Sequence, residues 1–374
     1  MTSVSTTTQA SDPPPTGHTT WALAIATYNR RDVLMQCLKL AAAQTRPPDE
    51  ILVVDASKDW EASREQVMTE LAPQYPNIRW DYHKATRPSA AVQRNQVSDL
   101  ATAEVVFLFD DDSFMYPDAA EHLMKLYDAD VNKQVAGVAA ALADKPPAEA
   151  ADEKATQEIE AARAAPTVKH YSPIAKFVRK VLDADNLFVP YDEGYPGKFI
   201  PESLKGMRVG KRELMAGMTM TARRELICKE RFSEILADRS GEDSDVTYRI
   251  SRHGAIVTAL DAKVFHVGSP SGRFSSFSRE VFYHMAPMVL HRFYSTDQAR
   301  SKRESRKLIR RKCLLGLVKD IQAKEWDLPR LKGAWFALRR VNKVFNMTTE
   351  EIEAWYPGFQ KKVMDGDLLR GKKK

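Results

Sequence analysis

The chain has 374 residues, of which 43% are hydrophobic and 28% are charged, a composition typical of a globular protein. Its three cysteines lie far apart and none forms a CxxC pair, which argues against a disulfide framework and against a cysteine-bound zinc site and fits a reducing compartment. The net charge of +6 is uneven, because residues 301–374 contain 20 Lys and Arg against 9 Asp and Glu, so residues 1–300 together carry −5.

The N-terminal part of the chain predicts a strand, a helix and a second strand. Residues 1–20 are rich in Ser, Thr and Pro and nearly free of apolar residues, so we predict a disordered leader. Residues 21–26 and 50–55 are apolar runs typical of buried strands, and residues 31–40 between them follow a helical pattern for which Asn29 is the candidate N-cap. This order and spacing predict a βαβ unit in a mostly parallel sheet.

Three consecutive carboxylates, Asp110, Asp111 and Asp112, end another apolar run at residues 105–109. Adjacent acids repel one another, so we expect a cation or a hydrogen-bonded ligand to compensate their charge. Oxygen ligands of this kind select hard ions such as Mg²⁺ or Mn²⁺. The alternative interpretation is a solvated acidic turn that caps the helix predicted to begin near Pro117.

The middle of the chain changes character after a further predicted strand at residues 135–142. Residues 143–213 contain a Pro-Pro pair, an Ala- and Glu-rich run and an aromatic segment with Gly and Pro. We interpret them as an insertion over the site, in a position suited to selecting an acceptor. The alternative is a surface excursion with no role in recognition.

A second group of acids opens the amphipathic helix that we predict within residues 239–250. Glu242 and Asp243 lie in its first turn, where the helix dipole favours acids and where ordinary capping is the alternative to a catalytic role. Two short strands, at residues 256–260 and 263–268, are then predicted to close the core and to carry His266 at an edge. A lone histidine is more often structural than a metal ligand.

The C-terminal part has a helical pattern in which basic and aromatic residues alternate. Its basic side chains include a stripe made of Arg303, Arg306, Lys307, Arg310 and Arg311. Such a segment suits an anionic membrane, a nucleic acid or a polyanionic acceptor, and the alternative is a solvated face whose aromatics pack on the core. Because no apolar run is as long as a membrane span, we expect a cytoplasmic protein, with a peripheral position at the inner membrane face as a possibility.

The order of the motifs ATYNR, VVDASKD, QRNQ, FLFDDDS, GEDSD and VFHVGS resembles that of the family 2 glycosyltransferases, which are inverting enzymes. The resemblance covers about residues 21–142 and 214–268. It implies an α/β GT-A fold, a Rossmann-like architecture of nucleotide-diphospho-sugar transferases with a mixed, mostly parallel sheet flanked by helices. We therefore predict a catalytic domain at residues 21–275 and a basic helical extension at residues 276–374.

The resemblance also implies roles for individual residues. Asp243 would be the catalytic base, and Glu242 beside it would hold an acceptor hydroxyl. Mn²⁺ or Mg²⁺ would be held by Asp112, Asp110 and His266. A nucleotide-sugar, with UDP favoured by family frequency alone, would be bound by these residues: Thr27, Tyr28, Asn29, Asp55, Arg94, Asp110 and Asp111.

The implied reaction is the transfer of one sugar to an acceptor hydroxyl of a glycan, a lipid-linked glycan or another molecule. A divalent ion can neutralise a departing diphosphate, and one carboxylate suffices to take the acceptor proton. The QxxRW motif of processive synthases is absent after His266, which favours a single transfer per encounter. Many family members have Gly-Ser after the second-strand acid, whereas this chain has Ala56-Ser57, so the contact of Asp55 with the base stays open.

Two alternative functions remain at this point. A sugar nucleotidyltransferase of similar fold usually has a Gly-rich basic loop after the first strand, and residues 27–31 contain no glycine. A non-catalytic module that binds nucleic acid or another polyanion would use residues 301–374. Nucleic acid as the acceptor is also not excluded.

Overall fold

A mixed sheet of nine strands forms the centre of the protein in the computed structural model, which describes residues 18–150, 194–236, 241–268 and 275–366. The strands are β1 (Trp21–Thr27), β2 (Glu50–Asp55), β3 (Arg79–Lys84), β4 (Val105–Phe107), β5 (Ser113–Met115), β6 (Val135–Leu142), β7 (Val209–Lys211), β8 (Met220–Arg223) and β9 (Ala255–His266). Their order across the sheet is β3-β2-β1-β4-β8-β6-β9-β5, and β7 pairs with β9 outside this path.

Helices flank this sheet and then continue alone towards the C-terminus. They are α1 (Arg31–Ala42), α2 (Trp60–Gln66), α3 (Ala90–Leu100), α4 (Ala119–Ala129), α5 (Arg224–Glu230), α6 (Glu242–Ser251), α7 (Ser276–Tyr294), α8 (Gln298–Gln322), α9 (Pro329–Leu338), α10 (Val341–Asn346) and α11 (Thr349–Met364). A π-helical turn, Val67–Leu71, extends α2. The predicted mixed α/β fold with a helical C-terminal region is confirmed.

The first half of the sheet is parallel, and its inner strands β1, β2 and β4 are buried on both faces, whereas the edge strand β3 is partly exposed. All six residues of β2 are buried, which explains why its sequence EILVVD is almost continuously apolar instead of alternating. The chain runs outwards from β1 to β2 and β3, and α3 then returns it to β4 on the other side of β1. This reversal opens a crevice at the carboxyl ends of β1 and β4, the place where open α/β sheets bind ligands.

The second half of the sheet is mainly antiparallel. β8 pairs antiparallel with β4 and β6, and β9 pairs antiparallel with β5 and β7 but parallel with β6. The prediction of two short strands at residues 256–260 and 263–268 was wrong, because the single strand β9 covers Ala255–His266 without a break. Its register against β6 shifts between Ala140 and Ala141, where Asp261 interrupts the apolar pattern, and a bulge absorbs the extra residues without ending the pairing.

The helices α7 to α11 share a hydrophobic cluster of their own. α7 is its centre, and the cluster also includes Leu236 and Tyr248, which precede the predicted domain boundary. Side-chain caps at Ser275, Asp297 and Thr348 begin α7, α8 and α11. Because the cluster crosses residue 275, the division into residues 21–275 and 276–374 stays a prediction.

Two predicted segments fall partly outside the described residues. Of the predicted leader, residues 1–17 lie outside, whereas the N–H groups of Thr19 and Thr20 donate to Asp128 and Glu104. Of the predicted insertion at residues 143–213, residues 151–193 lie outside, and its role in acceptor selection stays a prediction. Within the described ranges, no helix combines the length and the apolar character that crossing a membrane requires.

Candidate active site

Asp110, Asp112 and His266 form a cluster at the carboxyl end of the sheet, with one potential metal-ligating atom from each residue within 4.8 Å of the others. Asp110 follows β4 and forms an isolated parallel bridge with Ala26 of β1. Two carboxylates and one imidazole make a donor set of the kind that holds a divalent cation. The structure therefore brings together the three residues predicted to bind metal, although their role stays a prediction.

The pairing of β5 with β9 places the histidine in this cluster. Ser113 lies opposite His266 in the antiparallel register, and the backbone N–H of Val267 donates to the Asp112 carbonyl at 3.0 Å. The His266 Nε2 consequently lies 3.1 Å from the Asp112 Oδ1. Burial alone would lower the pKa of His266, but the hydrogen bond and charge of Asp112, helped by Asp110, outweigh burial and raise it.

Asp111 points away from the metal cluster and into the protein. Its carboxylate accepts hydrogen bonds from the Thr27 hydroxyl at 2.6 Å and from the Arg30 guanidinium at 2.9 Å. Burial raises the pKa of Asp111 to about 6, against the opposing effect of the Arg30 charge. Asp111 and Thr27 thus join β1 to the acidic loop, and a direct contact of either side chain with a nucleotide stays a prediction.

The solvated acidic turn considered above is excluded by this geometry. Asp111 and Asp112 are 4% and 2% exposed, so water does not screen their charges. Arg30 contacts both of them, at 2.9 Å and 3.4 Å. Burying neighbouring carboxylates costs free energy unless a cation compensates their charge. The Arg30 guanidinium therefore offsets part of the cost of burying Asp111 and Asp112. The sequence analysis did not assign a role to Arg30, although it lies in the ATYNR motif.

Arg94 connects the metal cluster to the start of α6. Its guanidinium donates to the Asp110 Oδ1 at 2.7 Å and to the Glu242 Oε1 at 3.1 Å, and it lies over the Phe232 ring at 5.5 Å. A Cβ atom at Gly217 would overlap this guanidinium. Gly217 is therefore a second site residue that the sequence analysis missed, since only the tertiary structure reveals the close approach.

Glu242 and Asp243 open α6 and contact Arg94 and Gly217, respectively. The Asp243 carboxylate accepts from the N–H of Ser244 at 2.7 Å and from the N–H of Gly217 at 3.2 Å, which fixes its orientation. Burial, followed by the charge of Asp243, raises the pKa of Glu242 to about 7, and Arg94 opposes this rise. Their contacts reach beyond α6, so helix capping alone does not account for these two acids.

Asp55 is deeply buried at the end of β2. It accepts hydrogen bonds from the Tyr82 hydroxyl at 2.6 Å and from the Ser57 N–H at 2.7 Å. The carboxylate therefore orders the loop after β2 in this conformation, and the predicted contact with a nucleobase stays untested. Gln93, the first residue of the QRNQ motif, was assigned no role, and it holds the neighbouring loop ends together by donating to the carbonyls of Thr27 and Val54.

Tyr28 and Asn29 directly follow β1 at the carboxyl end of the sheet, and their place in a nucleotide pocket stays a prediction. Tyr28 is 45% exposed, so its ring is accessible to a ligand. Asn29 was predicted as the N-cap of α1, but that prediction was wrong, because Arg30 occupies the cap position. Asn29 instead has a φ of +53°, a left-handed conformation that asparagine tolerates, and its N–H donates to the Ser57 hydroxyl at 2.7 Å.

Comparison with protein families gives a match for the N-terminal part of the chain. The model of the family "Glycosyl transferase family 2" matches residues 22–187. A search of the curated proteins gives no significant match.

Solved structures similar to this chain are glycosyltransferases at low sequence identity. GalNAc-T7 with UDP, GalNAc and Mn²⁺ is 12% identical, with a TM-score of 0.51 over 93% of this chain and 58% of that one. PcManGT, a mannosyltransferase from Pyrobaculum calidifontis in complex with GDP-Man and Mn²⁺, is 16% identical, with a TM-score of 0.46 over 96% and 87% of the two chains. TarS 1–349 from S. aureus is 13% identical, with a TM-score of 0.47 over 95% and 93%.

The similarity to GalNAc-T7 indicates a common fold, and the family match extends over β1 to β6. The family match favours a glycosyltransferase over the sugar nucleotidyltransferase and the non-catalytic binding module. This chain has a GT-A-like sheet with the site at its carboxyl end, and residues 22–187 are similar to glycosyl transferase family 2.

Proposed function

We propose that the protein is a metal-dependent, inverting glycosyltransferase that moves one sugar from a UDP-sugar to an acceptor hydroxyl. The observation that carries this proposal is the convergence of Asp110, Asp112 and His266 within 4.8 Å at the mouth of the crevice. A bound divalent ion would act there as a Lewis acid that neutralises charge developing on the leaving diphosphate. The GT-A structure of GalNAc-T7 with UDP and Mn²⁺ is consistent with this choice of donor and metal.

The donor set favours Mn²⁺ over Mg²⁺. Mg²⁺ prefers oxygen ligands in a strict octahedron, whereas Mn²⁺ accepts carboxylates together with an imidazole. The His266 imidazole adjoins the Asp112 carboxylate, so a nitrogen ligand is available beside the oxygen ligands. We therefore expect Mn²⁺ to support binding better than Mg²⁺.

Asp243 is the proposed general base. Its two hydrogen bonds from backbone N–H groups hold the carboxylate in one orientation, which a base must have to reach the acceptor proton. One base that deprotonates the attacking hydroxyl opposite the leaving group yields an inverted anomeric centre. Glu242, with its raised pKa and its contact to Arg94, is placed to hold the acceptor hydroxyl by donating or accepting a hydrogen bond.

Two arginines would help to bind the donor. Arg94 contacts Asp110 and Arg30 contacts Asp112, so both guanidiniums border the metal cluster. When a cation takes over the compensation of these carboxylates, the guanidiniums become available to the diphosphate, whose oxygens arginine recognises well. Tyr28 and Asn29 would line the nucleotide pocket at the exposed side of the crevice.

The proposed role in the cell is non-processive transfer in glycan or polysaccharide biosynthesis. The acceptor would be a glycan, a lipid-linked glycan or another hydroxyl compound, and nucleic acid is the alternative acceptor. We expect a cytoplasmic location. The absence of QxxRW after His266 supports a single transfer in each encounter.

The first experiment measures thermal stabilisation of the protein by nucleoside diphosphates and nucleotide-sugars, with Mn²⁺, with Mg²⁺ and with neither. A ligand that binds only the folded state raises the Tm by mass action. We expect the largest rise with UDP or a UDP-sugar in the presence of Mn²⁺. A shift with GDP alone would replace the proposed donor, and no shift with any nucleotide would contradict the proposed function.

The substitution Asp112→Ala tests the metal cluster in the same assay. We expect it to abolish the Mn²⁺-dependent part of the shift, because Asp112 supplies a buried carboxylate to the cluster. The matched control is Asp118→Asn, which changes an exposed acid six positions away whose ion pair is with His122. An unchanged Mn²⁺-dependent shift in Asp112→Ala would exclude the proposed metal site.

A further inference from the structure

One exposed stripe runs along α8 and changes from basic to apolar. Arg303, Lys307, Arg310, Leu314 and Ile321 follow one another at spacings of 4, 3, 4 and 7 residues, which keeps them within roughly 60° of arc on the helix surface. All five are exposed, and the two apolar residues, Leu314 and Ile321, are 56% and 48% exposed. We call this set the α8 stripe.

The opposite side of α8 already supplies the contacts that hold the helix in place. Ser305, Ile309 and Cys313 are buried there, and Ile309 and Cys313 belong to the helical cluster. Gly316 lies against the backbone of Arg330 and Leu331 in α9, where a Cβ would be crowded. Leu314 and Ile321 are therefore not needed to anchor α8, and their exposure requires another explanation.

Two exposed tryptophans follow the α8 stripe closely in the sequence. Trp326 lies in the turn just after α8 and is 74% exposed, and Trp335 on α9 is 55% exposed. Trp335 has the exposed cations Lys332 and Arg339 three residues before it and four residues after it, on the same side of the helix. Tryptophan flanked by cations is typical of surfaces that contact the boundary between lipid headgroups and acyl chains.

The charge around these residues is strongly positive. Residues 298–346 contain 15 Lys and Arg against 4 Asp and Glu. Three of the four acids are engaged within the region itself: Asp320 and Glu325 pair with Arg330, and Glu304 pairs with Arg303 and Lys307. Basic residues therefore far outnumber the acidic residues that could pair with them within residues 298–346.

We propose that the α8 stripe, together with Trp326 and Trp335, docks on an anionic lipid membrane. The basic half, Arg303 to Arg310, would meet the headgroup phosphates, and Leu314, Ile321 and Trp326 would enter the interface. Nucleic acid would explain the cations but not the exposed Leu314 and Ile321. A parallel contact with a second copy would bring one basic half against another, which like-charge repulsion opposes, and an antiparallel contact would leave each set of cations facing Leu314 and Ile321 without an acidic partner.

The test is co-sedimentation of the full chain with phosphatidylcholine vesicles, with and without added phosphatidylglycerol. We expect binding only to the anionic vesicles, with strong weakening by salt. The triple substitution Arg303→Gln, Lys307→Gln and Arg310→Gln should weaken binding on the order of a hundredfold, since each cation near an anionic surface contributes about fivefold. Leu314→Ser, Ile321→Ser and Trp326→Ser together should weaken binding at least about tenfold.

Matched controls change equally exposed residues of the sheet region. Lys39→Gln, Lys205→Gln and Arg208→Gln remove three cations, and Val131→Ser removes an apolar side chain that is 85% exposed. We expect both controls to bind vesicles like the unsubstituted protein, and circular dichroism to report a retained fold in every variant.

Several outcomes would overturn the proposal. One is no binding, or equal binding to neutral and anionic vesicles. Equal losses in the controls would show that only total charge matters. Retention on heparin without vesicle binding would indicate a polyanion partner, and a dimer that Leu314→Ser and Ile321→Ser dissociate would indicate a second copy.

Discussion

The sheet region and the C-terminal helices differ in the burial of their charged side chains. At the site, Arg94 and Arg30 are enclosed and lie within 3.4 Å of acids, and the acids themselves are largely buried. On α8, the cations Arg303, Lys307 and Arg310 are exposed to solvent. The same residue types therefore occur at high cost in one region and at low cost in the other.

This difference indicates where each region meets its partner. Burying a charge costs several kcal/mol unless a partner compensates it, so a dense buried cluster implies that ligand chemistry maintains it. Exposed charges cost little and contribute little to stability, and a surplus of one sign is available for long-range attraction. The predictions below test the buried half of this comparison, and the vesicle experiment tests the exposed half.

The largest effect is expected from Asp243→Asn, which removes the proposed base. We expect kcat to fall by about 10²- to 10⁴-fold, the usual contribution of general base catalysis. Nucleoside-diphosphate binding should stay nearly unchanged, since Asp243 contacts the N–H groups of Ser244 and Gly217 rather than the metal cluster. Steady-state kinetics and calorimetry measure the two effects. An equal loss of binding and turnover would contradict the assignment.

The next effect concerns the buried ion pairs of Arg94. Arg94→Gln leaves Asp110 and Glu242 without their cation, and we expect a loss of about 3 kcal/mol in the free energy of unfolding, at the low end because Asp110 is a third exposed. Chemical denaturation without divalent metal measures this loss, and Mn²⁺ should restore part of it. The control is Arg231→Gln, which breaks a surface pair with Asp99 and should cost at most about 1 kcal/mol. Equal losses of unfolding free energy in Arg94→Gln and Arg231→Gln would contradict the higher cost of breaking a buried ion pair than an exposed one.

A pH dependence follows from the raised pKa of Glu242. This pKa is about 7 in the folded protein, against 4.5 for a glutamate in the unfolded chain. Between these values the unfolded chain has lost the proton that the folded protein keeps, so stability falls as pH rises from 4.5 to 7. Relative to Glu242→Gln, which has no proton to lose, the unsubstituted protein should lose about 2–3 kcal/mol over this range. Denaturation at several pH values without divalent metal measures the difference, and parallel curves would contradict it.

The smallest effect is expected at Gly217, where a Cβ would displace the Arg94 guanidinium. Gly217→Ala should lower stability by about 2 kcal/mol through overpacking and should also reduce turnover. Gly210→Ala is the control, because its Cβ would meet only Leu260 at an ordinary distance of 3.7 Å. If both variants unfold alike, the enclosure of Arg94 is not as tight as the structure indicates.

Much of the sheet was predictable because strands that are buried on both faces have almost continuously apolar sequences. Runs such as EILVVD and the order of strand, helix and strand indicate parallel neighbours, and their carboxyl ends must then share one edge. The continuous β9 was not predictable, because Asp261 interrupts its apolar pattern and pairing with β6 across a bulge overrides the local sequence. The position of Asn29 outside the α1 cap was missed because its backbone N–H bonds to Ser57, a residue of another loop.

The sequence by itself determined the acids, the histidine and Arg94 of the candidate site, but it did not reveal Arg30 or Gly217. The acidic triplet after an apolar run, the acids in the first turn of α6 and the histidine two residues before a glycine are local patterns, and local patterns report chemical type and approximate element. Only the tertiary structure decided what each of them contacts. Asp112 and His266 are brought together by the pairing of β5 with β9, Asp111 is turned inwards by Thr27 and Arg30, and Arg94 bridges two acids that are 132 residues apart in the chain. Such contacts depend on register and packing between distant segments, which no local pattern contains.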